Sequence, residues 1–169
     1  MTGLAFETVE VPKAERERLA PILDQSFEGI YRWHAGRTLK SIEVVRAART
    51  PDGADAGLIM LKTLREGSGY VYYVAVLPAF RRKGVGGRLL DEAIRYFAEK
   101  GVGEVYASAE EDNEESKALF QSRGFQIIEA SDMNEKYGAL RTRLMYFEMM
   151  YVSGEVLLVL RLPSPARAG

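Results

Sequence analysis

Leu4 to Val9 alternates apolar and polar side chains, the period of a half-buried strand. Pro12 then opens a charged stretch punctuated by Leu and Ile, which reads as helix to about Asp24. Between Gln25 and Leu39 the pattern is mixed: Phe27, Ile30, Tyr31 and Trp33 fall at roughly helical spacing, while Gly29 and Gly36 interrupt it. Ile42 to Arg49 reads as a strand, Pro51-Asp52-Gly53-Ala54-Asp55 as a turn, and Gly57 to Leu64 as a second strand. Glu66-Gly67-Ser68-Gly69 turns the chain into a third, Tyr70 to Leu77, so this region is an antiparallel meander.

The texture changes after Leu77. Leu89, Leu90, Ala93, Ile94 and Phe97 share one helical face, and Gly101 is placed to stop that helix. Val102 to Ala109 reads as strand, Asn113 to Arg123 as a second helix ended by Gly124, and Phe125 to Glu129 as strand again. Strand, helix, strand from Tyr70 to Ala109 implies a right-handed crossover with parallel strands, hence an α/β fold with a mixed sheet. Leu144 to Tyr151 and Val156 to Leu162 read as a hairpin of apolar strands. The run Val156 to Leu160 is too apolar for an exposed edge, so it lies inside the sheet or pairs with a second subunit; a homodimer through these C-terminal strands is the expectation. One domain over positions 1–162 is expected, with a disordered tail from Pro163 to Gly169.

Composition narrows the function classes. The 169 residues carry 23 basic and 24 acidic side chains, a formal charge of -1, which lacks the footprint of a nucleic-acid binder. Without cysteine there is no thiol catalysis or disulfide, and the single histidine, His34, precludes a multi-histidine zinc site, so no metal is expected. The start reads as no signal peptide and no run is long and apolar enough for a membrane span, so a soluble, cytoplasmic protein is expected.

The densest chemistry lies in Val74-Ala75-Val76-Leu77-Pro78-Ala79-Phe80-Arg81-Arg82-Lys83-Gly84-Val85-Gly86-Gly87-Arg88-Leu89-Leu90. A strand passes through a proline-marked loop into a helix N-terminus. Glycines 84, 86 and 87 let successive N–H groups converge, the helix dipole adds positive potential, and Arg81, Arg82 and Lys83 add more: an anion cradle. A P-loop fails because Gly87 and Arg88 follow Gly86 where Lys and Ser or Thr belong, and the dinucleotide fingerprint fails because Leu89 takes the place of its third glycine.

The strand exit, Arg81-x-x-Gly84-x-Gly86 and the Leu89-Leu90 helix resemble motif A of the GNAT superfamily of acyl-CoA-dependent N-acyltransferases. Glu111-Asp112-Asn113-Glu114-Glu115-Ser116-Lys117-Ala118-Leu119-Phe120-Gln121-Ser122-Arg123-Gly124-Phe125 resembles its motif B, and the resemblance covers about residues 40 to 130. It implies a GNAT-like mixed, mostly antiparallel sheet with a splayed parallel strand pair, flanked by helices. It further implies that main-chain groups of Val74, Ala75 and Val76 hold the pantetheine arm of acetyl-CoA. The pyrophosphate would rest on the N–H groups of Arg82, Lys83, Gly84, Val85, Gly86 and Gly87. Asn113 matches the family's coenzyme-contacting Asn and is equally a good helix N-cap; both readings stand.

The implied reaction moves an acetyl group directly to an amine, with a base to deprotonate it and an acid to protonate the leaving thiolate. Phe120 stands where many members carry a tyrosine acid, Ser108 where some place a glutamate, and Tyr70 where others place one. Tyr70 and Tyr72, on one strand face with Tyr73 on the other, are candidate proton donors, and Glu110 or Glu111 a candidate base through water. Each has a plainer reading, as packed aromatics or solvated loop carboxylates. The resemblance further implies that the acceptor is chosen by the early helices, about Gln25 to Leu39, and by a loop between the last strands, about Ser131 to Arg143, and His34 falls in that wall with Tyr31, Arg32 and Trp33. The acceptor, a small-molecule amine or a peptide, is not named by the sequence. The alternative is a module of the same fold that binds acyl-CoA without turning it over.

Overall fold

The computed structural model describes residues 5–164; Leu4 of the expected first strand and Pro165 to Gly169 of the expected tail lie outside them. Strands β1 (Glu7–Glu10), β2 (Val44–Arg49), β3 (Asp55–Thr63), β4 (Gly69–Val76), β5 (Glu104–Glu110), β6 (Gln126–Ile128) and β7 (Glu155–Arg161) hydrogen-bond in the order β1-β2-β3-β4-β5-β7-β6. The sheet is mostly antiparallel, with β4 and β5 its parallel pair. The helices among the described residues are α1 (Ala20–Ser26), α2 (Gly29–Ser41), α3 (Val85–Glu99), α4 (Glu114–Ser122), α5 (Ala130–Tyr137) and α6 (Ala139–Met149). The fold is therefore α/β and GNAT-like, as the motifs imply. Two compact units divide the chain, the described parts of Met1–Lys62 with Tyr73–Ala93 and of Thr63–Tyr72 with Ile94–Gly169, and β4 and α3 each run from one into the other.

In the first unit the ambiguous stretch after Gln25 resolves into the end of α1 and the whole of α2, with Gly29 at φ 56° opening the second helix. The expected helix from Pro12 begins as a 3-10 segment, Lys13–Leu19, before α1. Arg16 in that segment is buried, 3% exposed, and donates to the carbonyls of Ile42 at 2.7 Å, Leu39 at 3.2 Å and Val11 at 3.2 Å. A cation inside a core is stable only with such partners, and these pin the C-terminal end of α2. On the sheet, Gly57 of β3 leaves no room for a side chain: a Cβ would stand 2.8 Å from the Ala75 carbonyl and 3.2 Å from Val85 Cγ1. That close approach seats the start of α3 against β3.

In the second unit the parallel ladder pairs Gly69 with Val105, Tyr70 with Tyr106 and Val71 with Ala107. A buried cluster of Leu64, Tyr70, Tyr106, Met133, Met145, Met149, Leu157 and Val159 forms its core. The expected loop over Ser131 to Arg143 is instead α5 and the start of α6, and the expected strand Leu144 to Tyr151 is mostly α6. Apolar residues on two faces of α6 account for the misreading. Thr142, Met145 and Met149 are buried, while Leu140, Leu144 and Phe147 are 75%, 61% and 81% exposed, so the segment lacks a clean helical stripe. A reciprocal cap between Glu129 and Asp132 starts α5. The apolar strand β7 pairs with β5 over Glu155–Arg161 and with β6 over Leu157–Val159, so its core is covered on both edges within the chain. Burial there needs no second subunit.

Candidate functional site

The anion-cradle turn is built by φ signs that alternate. After the Pro78–Phe80 3-10 turn, Arg81 is extended, Arg82 takes φ 60° and Gly84 φ 81°, and α3 starts at Val85. Successive residues of opposite φ sign turn their N–H groups into one concavity. The Arg88 N–H to Gly84 carbonyl bond, 3.0 Å, is the first of the helix, which leaves the N–H groups of Val85, Gly86 and Gly87 without acceptors inside it. Arg82, Lys83 and Gly84 are exposed, and Arg81 Nε donates to the Val76 carbonyl at 3.0 Å, tying the turn to the end of β4. Arg82 is not glycine, so its left-handed backbone holds about 1–2 kcal/mol of strain, a mark of functional turns.

β4 itself carries the next part. One edge bonds to β3, where the Leu77 N–H meets the Ala56 carbonyl at 2.9 Å. On the other edge the ladder with β5 stops at Val71, and Val74, Ala75 and Val76 lie beyond it. Just before them, Tyr73 packs edge-on against Phe27 at 5.1 Å, and its hydroxyl lies 2.9 Å from Nδ1 of His34 on α2. Burial, helped by the charge of Arg37, holds the His34 pKa below its ordinary value, so the ring is neutral at pH 7.

The second unit holds the remaining candidates. Tyr70 is 1% exposed, with its hydroxyl 3.1 Å from Ser108 Oγ on β5 and its ring 5.3 Å from that of Tyr72. Tyr72 is half-buried, and burial, then the charge of Glu155, pushes its pKa up to about 12. Glu110 ends β5, exposed, opposite Glu155 of β7. Asn113 caps α4, its Oδ1 accepting from the Ser116 N–H at 3.0 Å. Phe120 is a core residue, 3% exposed and edge-on to Phe125 at 5.2 Å. Among the described residues no group of three or more His, Cys, Asp and Glu side chains is placed to hold a metal.

The Tyr73–His34 contact escaped the candidate set. Alternation along β4 separates Tyr73 from Tyr70 and Tyr72, but nothing local says that a helix 39 residues earlier in the chain meets its hydroxyl.

The family model for acetyltransferases of the GNAT family matches residues 20–125, which takes in the turn, β4, β5 and α4. The chain belongs to the GNAT acetyltransferase family. It is 34% identical over 121 residues to an uncharacterised protein of Mycobacterium leprae, covering 68% of this chain and 33% of that one. The chain thus spans about a third of the length of that relative. Among solved structures, a Bacillus subtilis acetyltransferase in complex with CoA is similar with a TM-score of 0.69 at 20% identity, over 94% of this GNAT chain and 100% of the other. The ribosomal-protein-S18-alanine N-acetyltransferase of Escherichia coli is similar at 0.69 and 15% identity, over 98% and 99%. At these identities the likeness is one of fold. No helix among the described residues is long and apolar enough to cross a membrane.

Proposed function

We propose that the chain is an acetyl-CoA-dependent N-acetyltransferase that binds the coenzyme pyrophosphate at the turn from Arg82 to Gly87. The observation that carries this is the turn itself: left-handed Arg82 and Gly84 feeding the start of α3, held to β4 by Arg81. Family membership points the same way, as does the CoA held by the Bacillus subtilis neighbour. The main-chain groups of Val74, Ala75 and Val76, past the end of the parallel ladder, are the proposed seat of the pantetheine arm. An N–H there polarises the thioester carbonyl. The amine nitrogen forms a bond to the carbonyl carbon, the carbon–sulfur bond breaks, and the thiolate leaves with its electron pair.

Tyr72 is the proposed acid. Its raised pKa keeps the phenol protonated at pH 7, so its hydroxyl is present as a hydrogen-bond donor for the leaving sulfur. Tyr70 holds its hydroxyl on Ser108 inside a core and fits a packing role better. Glu110, exposed at the end of β5, is the carboxylate candidate for the base. Asn113 caps α4 through its Oδ1, and its amide nitrogen is the proposed donor to the coenzyme. A homodimer remains a proposal, and the hydrogen-bonding edges of Leu157–Val159 are not its interface, since β5 and β6 hold them.

The test is calorimetric binding of acetyl-CoA alongside thiol release over a panel of peptides, polyamines, amino acids and aminoglycosides. Binding with release on one acceptor class is expected and names that class. Binding with no release favours the non-catalytic module, for which Phe120 in place of an acid is the supporting observation. Absence of binding overturns the assignment of the turn.

A further inference from the structure

α6 carries apolar side chains on two faces, and the fold of the second unit uses one of them. Thr142, Met145 and Met149 are buried, and the two methionines join the core cluster of Tyr70 and Tyr106. Leu140, Leu144 and Phe147 are instead 75%, 61% and 81% exposed. At about 100° per residue these three fall within about 60° of one another, on the side of the helix opposite the buried face. Their spacing, four residues and then three, is that of a coiled-coil seam. Scattered apolar residues on a surface are ordinary, whereas a contiguous stripe that ends in an exposed phenylalanine marks a face that is covered in use.

The charges beside the stripe say by what. Arg141 and Glu148 lie on the same flank of α6, about two turns or 10 Å apart, with the stripe running between their levels. The Arg65 N–H holds the Glu148 carboxylate in place, 3.2 Å from Oε1 and 3.3 Å from Oε2. A two-fold axis through the stripe near Leu144 turns a second α6 antiparallel to the first. Leu144 then meets the partner's Leu144, and Leu140 meets the partner's Phe147. On the shared flank, Arg141 of each copy comes opposite the partner's Glu148, so one sequence supplies both halves of the charge pair twice. Arg143 lies on the other flank, where α6 has no acid, and stays at the solvent rim.

We infer that a second copy of this chain covers the stripe, α6 against α6, antiparallel about a two-fold axis. The three apolar side chains offer on the order of 400 Å² of surface, about half of the roughly 800 Å² that a stable interface takes from each partner, and the flanking charges and Met150 supply the rest as a polar rim. That size fits a reversible dimer. The inference goes beyond the transferase reading and needs neither coenzyme nor acceptor, so the two fail separately.

The test is sedimentation velocity of the whole chain at low salt, from about 1 to about 100 µM, without acetyl-CoA. A monomer–dimer equilibrium with a dissociation constant inside that range is expected. Phe147→Asp, at an exposed position where dichroism should match the wild type, is expected to weaken the dimer at least about tenfold. Arg141→Glu and Glu148→Arg are each expected to weaken it about fivefold, because each alone sets like charges opposite one another. Mixed in equal amounts, those two single variants are expected to pair with each other within about twofold of the wild-type affinity, since every flank contact is again of opposite sign. A dimer that ignores Phe147→Asp, or single variants whose mixture pairs no better than either alone, overturns the inference. A chain that stays monomeric throughout the range gives the stripe to another occupant, a terminal segment of this chain or a different protein, and overturns it as well.

Discussion

Arg82 and Gly84 share a left-handed backbone, but only the glycine does so without strain. Nothing stands within 4 Å of where a Gly84 Cβ would go, so a substitution there acts through φ rather than through a clash. Gly84→Val is expected to cost about 1–2 kcal/mol of stability and to weaken acetyl-CoA binding by about tenfold or more, as the turn relaxes and its N–H groups diverge. Calorimetry on the folded variant checks it; unchanged affinity would remove the turn from the binding site. The turn was legible in the sequence because glycine spacing and a proline-marked strand exit are local signals. The roles of single side chains were less so. Strand parity put Tyr70 and Tyr72 together, and their rings do meet at 5.3 Å, but parity says nothing of the depth at which Tyr70 sits, 1% exposed against Ser108. Tyr73 and His34 needed a tertiary contact that no local pattern encodes.

Elements show the same division between local and distant causes. α3 and α4 were readable because each has one apolar face and an end signal: Gly101 at φ 73° after α3, Asn113 before α4 and Gly124 at φ 90° after it. α6 was not, since two apolar faces blur the period. Glu104 at the start of β5 shows how elements are then joined. Its carboxylate accepts from the hydroxyls of Tyr106 at 2.9 Å and Tyr137 at 2.8 Å and pairs with Lys136, linking β5 to α5. Burial alone would raise its pKa, but the hydrogen bonds from Lys136, Tyr137 and Tyr106 outweigh it and the net shift is downward. A carboxylate depressed in the folded state stabilises it fully above the unfolded pKa, about 4.3, and that contribution is lost as pH falls through the folded value. Glu104→Gln is therefore expected to melt below the wild type at pH 7, with the difference shrinking below about pH 4. Paired thermal melts across that range check the sign; a difference that grows toward acid would contradict it.

At the scale of the whole molecule, the two compact units share β4 and α3, so neither unit holds a complete copy of either element. Continuous hydrogen-bonded elements of this kind couple the stability of the segments they cross, and one unfolding transition is the expectation. Gly69, at the start of β4, gives a way to test that from one side. A Cβ at Gly69 would lie 2.7 Å from Cδ1 and 2.8 Å from Cγ of the Phe97 ring, which is fully buried on α3 and cannot swing aside. Gly69→Ala thus overpacks the second unit and is expected to cost about 1–3 kcal/mol. Trp33, the single tryptophan, lies on α2 in the first unit and reports there, while far-ultraviolet circular dichroism reports on all helices and strands. Denaturant unfolding of Gly69→Ala followed by both probes should give coincident curves, shifted together to lower midpoint with an unchanged slope. A shift seen by dichroism while the Trp33 curve stays at the wild-type midpoint would mean that the units unfold separately, and that β4 and α3 do not carry strain from one to the other.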